Sequence, residues 1–60
     1  MKEEEKERIL YLIDLYNEWL ERTEGRGASY GEIAYIQALS EEALEELERG
    51  LIKELEKWEA

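Results

Sequence analysis

Residues 23–40 read TEGRGASYGEIAYIQALS, and this stretch decides the fold because it interrupts helical periodicity twice. Gly25 and Gly27 end the first pattern, since either can take the left-handed conformation that closes a helix. Ser29 and Glu32 then form S-x-x-E, a capping box in which hydroxyl and carboxylate each satisfy an orphan backbone donor. A short helix follows with Tyr30, Ile33, Ile36 and Gln37 on one face, and Ser40 is placed as the next N-cap. Leu39 and Leu44 bracket that cap at the spacing of a hydrophobic staple. The stretch therefore contains a loop, a short helix and a tight turn.

On its amino-terminal side, Ile9, Leu12, Ile13, Tyr16, Trp19 and Leu20 recur at spacings of three and four, which predicts an amphipathic helix from about Lys2 to Glu24. Glu3, Glu4 and Glu5 complement the dipole of its first turn, and Glu4 with Arg8 and Glu18 with Arg22 are spaced as supporting ion pairs. On the other side, Leu44, Leu47, Leu51, Leu55 and Trp58 form a narrow stripe flanked by Ile52, which predicts a helix over 41–59. Its charges are sorted by sign, with Glu41, Glu42, Glu45 and Glu46 early and Arg49, Lys53 and Lys57 late, as the helix dipole favours. The expectation is a single all-α domain over residues 1–60, a compact three-helix bundle of long, short and long helices at 2–24, 30–39 and 41–59.

Two glycines sit inside predicted helices. Gly50 in mid-helix should cost about 1 kcal/mol relative to alanine, so it and Ala43, seven residues earlier, predict a small-residue groove where another helix crosses closely. Gly31 in a first turn has no such explanation from the sequence.

Composition narrows the function classes. The 60 residues hold no cysteine and no histidine, which removes disulfides, thiolate nucleophiles, imidazole bases and the common zinc, haem and iron-sulfur sites. Acids outnumber bases 17 to 8 for a net charge of -9, which repels phosphate backbones and anionic lipid surfaces. The longest apolar run, Ile9 to Ile13, is far short of the roughly 18 residues a membrane span needs. The opening MKEEEKER is unlike a secretory signal, so the chain reads as cytoplasmic or recombinant.

The carboxylate pairs Glu41/Glu45 and Glu42/Glu46 lie one turn apart on a helix surface, without the burial or cleft that would tune a carboxyl for acid–base work. The lone aspartate, Asp14, falls within the first helix, so calcium-loop spacing is absent. The Gly25–Arg26–Gly27 loop could offer backbone donors and a guanidinium to an anion, but it is more simply a helix terminator followed by a cap. No nucleophile–base pair can be assembled. The expectation is a protein that is not an enzyme, with no metal, no cofactor and no small-molecule substrate.

The segment SYGEIAYIQALSEEALEELERG, residues 29–50, resembles the helix-turn-helix of phage-repressor-type regulators. Glu32, Ile33 and Ala34 fall at that family's acidic-apolar-alanine trio, Leu39 and Ser40 where it leaves the turn, Leu44 at its buried position, and Glu48, Arg49 and Gly50 at its closing triplet. The sequence departs where Ala38 replaces the turn glycine and Gln37 an apolar residue. The would-be recognition helix also opens with Glu41, Glu42, Glu45 and Glu46, which a major groove lined by phosphates would repel. The likeness implies geometry without DNA binding. More broadly, the Glu/Lys/Leu helices, the caps and the sorted charges resemble a computationally designed or redesigned mini-protein, with 25–40 the less idealised part.

Recognition residues are expected off the core stripes. Tyr11 and Leu15 lie on a flank of the first helix, and Tyr35 points opposite Ile33 on the second, so these three are the candidate protein-binding patch. The bland alternative is that isolated exposed apolar groups are normal. The expected partner is another protein or a second copy of the chain. The alternative function is that of a small natural, phage-type acidic protein that mimics DNA charge through Glu41, Glu42, Glu45, Glu46 and Glu48 and inhibits a nucleic-acid-binding protein.

Overall fold

The long first helix ends where a glycine lets it. In the computed structural model, which describes residues 3–59, α1 spans Glu3–Glu24 and Gly25 follows at φ 70°, donating its amide to the Glu21 carbonyl at 3.2 Å. That left-handed residue is the closure read from the sequence; the expected start at Lys2 lies outside the described residues. The loop then leads into α2, Tyr30–Gln37, whose capping box is complete: the Ser29 hydroxyl accepts from the Glu32 amide at 3.2 Å and the Glu32 carboxylate from the Ser29 amide at 2.9 Å.

Helix α2 stops two residues before the expected Leu39. The amide of Ala38 is shared between the carbonyls of Ala34 and Tyr35, and Leu39 donates to Ile36 at 3.2 Å, so the last turn tightens and the chain leaves. Ala38 sits at φ -95°, ψ -3°, which alanine adopts freely, so this turn needs no glycine. Helix α3 spans Glu41–Glu59 and is capped by Ser40, whose hydroxyl accepts from Ala43 at 3.3 Å.

Helix α1 is the platform. Both α2 and α3 pack against it, while α2 and α3 meet each other only weakly. The Ala28 amide donates to the Asn17 side chain at 2.8 Å and the Tyr16 hydroxyl to Glu32 at 2.7 Å, so α2 returns antiparallel along the middle of α1. Arg8, near the start of α1, lies beside Glu45 and Glu48, near the start of α3, so the two long helices begin at the same end. Leu12, Ile36 and Leu44, one from each helix, form the buried centre, with Ile9, Ile13, Leu15, Tyr16, Leu39 and Leu47 packed around it. Leu20, Leu51 and Leu55 are also buried.

The short middle helix explains where the sequence stripes fail. Because α2 begins beside Asn17, the far ends of α1 and α3 lack a third helix, and Trp58 is left 55% exposed instead of joining the core as its stripe predicts. Tyr30, at the first position of α2 and more than a turn and a half from Ile36, is 89% exposed, and Gln37 is exposed as well. The groove expected at Gly50 is absent: a Cβ there would meet nothing within 4 Å.

Candidate functional site: the cleft between α2 and α3

Two helices that share a floor without touching much leave a furrow between them. Here it is a cleft of about 690 Å³, with Tyr16 at its base, Tyr35, Ile36 and Gly31 on the α2 wall, Leu39 at the turn, and Ala43, Glu46 and Leu47 on the α3 wall. Tyr35 is 62% exposed at the lip. Ala43 lines this open cleft together with Gly31, in place of the close helix crossing expected at Ala43 and Gly50. A Cβ on Gly31 would meet nothing within 4 Å, so the fold itself does not require this glycine.

Tyr16, Ser29 and Glu32, which also line the cleft, belong to a charged clasp with Arg26. The Arg26 guanidinium donates to both carboxylate oxygens of Glu32, at 2.8 and 3.2 Å, and to the Gly27 carbonyl at 3.2 Å, with Glu24 at 3.5 Å. Glu32 also accepts from the Tyr16 phenol and the Ser29 amide. The guanidinium, the Ser29 amide and the phenol together hold its carboxyl well below the usual carboxylate range. The same bond to Glu32, followed by burial, pushes the Tyr16 phenol up. The loop read as a possible anion cradle is therefore occupied by its own carboxylates.

The three patch residues do not converge. Tyr35 faces the cleft, whereas neither Tyr11 nor Leu15 lines it. Tyr11 is 48% exposed on the flank of α1 that also carries Arg8. Leu15 corrects the expectation of an exposed anchor: it is half-buried against the Leu12–Ile36–Leu44 core, because that flank of α1 is where α3 packs.

The acidic face divides in the same way. Glu45 and Glu48 lie 3.8 and 3.7 Å from Arg8, which replaces the Glu4–Arg8 pair expected from spacing, while the Glu18–Arg22 pair forms at 3.2 Å. Glu46 lines the cleft, and Glu41 and Glu42 are exposed at the start of α3. No group of acidic side chains among the described residues is arranged to hold a metal ion, and no helix there is long and apolar enough to cross a membrane. Sequence reasoning missed the cleft because it depends on how far α2 stands from α3. The only signals were the small residues Ala43 and Gly31.

A further polar detail lies on α1. Trp19 stacks on Tyr16 with ring centroids 5.8 Å apart, and its indole Nε1 is buried without a hydrogen-bond partner among the described residues. Compared with known families, curated proteins and solved structures, the chain shows no match.

Proposed function

We propose that the protein is a binding module whose α2–α3 cleft receives a helix from another protein, on a scaffold of designed or redesigned type. The observation that carries this reading is the open, largely apolar furrow lined by Tyr35, Leu39 and Leu47. An exposed tyrosine on a short, rigid helix adds contact area at low entropic cost, and helix-in-groove recognition uses apolar anchors at helical spacing. Gly31 supports the same reading. It weakens the first turn of α2 without relieving any clash, and a bare backbone on a cleft wall lets an incoming chain approach closely.

The alternative of an acidic DNA mimic has weaker support, since Glu45 and Glu48, two of its five carboxylates, face Arg8. The test is chemical-shift mapping of the 15N-labelled protein with a leucine-striped helical peptide as probe. The expected result is movement of the amides of Gly31, Tyr35, Ala43 and Leu47. Shifts confined to the Tyr11 flank, or no shifts, would overturn the reading.

A further inference from the structure

The walls of the cleft differ in charge. On the α2 side Glu32 is committed to Arg26, Ser29 and Tyr16. On the α3 side Glu46 has no cationic partner among the described residues, nor has Glu42, one turn earlier on the same face. Among the described residues no lysine or arginine lines the cleft. The chain as a whole carries -9, a field that attracts cationic segments and opposes a second copy of itself.

We infer that the occupant is a cationic amphipathic helix, its apolar stripe on Leu39 and Leu47 and its lysines or arginines beside Glu42 and Glu46. This rests on the helix-binding reading above and adds the chemistry of the partner. The eight residues of α2 set a wall of roughly 12 Å at 1.5 Å per residue, so about two turns of the partner are gripped. Its anchors would fall at i, i+3 or i+4, and i+7.

The experiment compares two leucine-striped peptides of equal length, one flanked by lysines and one by glutamates, titrated into the labelled protein, its Glu46→Lys variant and its Tyr35→Ser variant. Expected is cleft-centred binding of the lysine peptide only, weakened roughly five- to tenfold by Glu46→Lys, the size of an exposed attraction turned to repulsion. Equal binding of both peptides in the cleft would overturn the cationic partner while leaving helix binding intact. Lysine-peptide shifts spread over Glu3, Glu4, Glu7 and Asp14 and indifferent to Tyr35→Ser would mean charge attraction alone and overturn both. Concentration-dependent dimerisation abolished by Tyr35→Ser would assign the cleft to a second copy, which also overturns the inference.

Discussion

The Tyr16 phenol donates a 2.7 Å hydrogen bond to Glu32, joining the middle of α1 to the first turn of α2 across sixteen positions of sequence. The carboxylate that receives it also closes the capping box and holds Arg26. One side chain thus serves local helix initiation, loop closure and tertiary docking.

This bond gives stability a pH signature at both ends. The folded-state pKa of Glu32 lies below its unfolded value of about 4.3, so its contribution is present above that pH and is lost as pH falls through the lower folded value. Tyr16 is shifted up, so its share is present below about pH 10 and is lost as pH rises through the folded value. Thermal midpoints should place Glu32→Gln below the parent at neutral pH, with the gap closing in acid. Tyr16→Phe should show a gap that closes in alkali. A gap for Glu32→Gln that is constant down to strong acid would contradict the clasp.

The glycines should separate by sign. Gly50→Ala should stabilise by about 1 kcal/mol, since an exposed mid-helix site with free space gains propensity, and Gly31→Ala by less, being in a first turn. Gly25→Ala should destabilise by about 1 kcal/mol because its φ is 70°. Gly27→Ala should also destabilise, because its Cβ would sit 3.0 Å from the Asn17 Oδ1 that holds the Ala28 amide. Denaturation midpoints of the four variants test this order.

Core substitution should be severe for so small a chain. Leu12 is fully buried between all three helices, so Leu12→Ala should cost about 2–5 kcal/mol and Ile36→Val about 0.5–1.5 kcal/mol. Circular dichroism melts should show a large loss of midpoint for the first and a small one for the second. Near-parental stability of Leu12→Ala would contradict the packing described.

Leu15→Ser and Tyr11→Ser should part company despite lying on the same flank. Leu15 packs on the core, so its loss should lower stability by more than 1 kcal/mol. Tyr11→Ser and Tyr35→Ser should stay within about 0.5 kcal/mol, as exposed positions do. Chemical denaturation of the three variants distinguishes them.

Helix boundaries were legible where a residue type has one strong local role. Gly25, Ser29 with Glu32, and Ser40 all act as their chemistry predicts. The inward faces were less legible because periodicity assumes that a partner runs the whole length of each helix. Leu44, Leu51 and Leu55 are buried as expected, while Trp58 continues its stripe past the reach of α2 and Tyr30, at the first position of α2, stays exposed. Tyr35 was found as an exposed aromatic, but what it faces depends on the spacing of α2 from α3, which no local pattern carries. Arg8 makes the same point, since its α3 partners replaced a neighbour four residues away.

That α1 and α3 begin at the same end has a mechanical consequence. Helix α1 begins at one pole of a body 35 Å long and α3 ends at the other. Tension applied along α1 and α3 in opposite directions would load their interface in shear, with the packing around Leu12 and Leu44 resisting as one instead of peeling apart in turn.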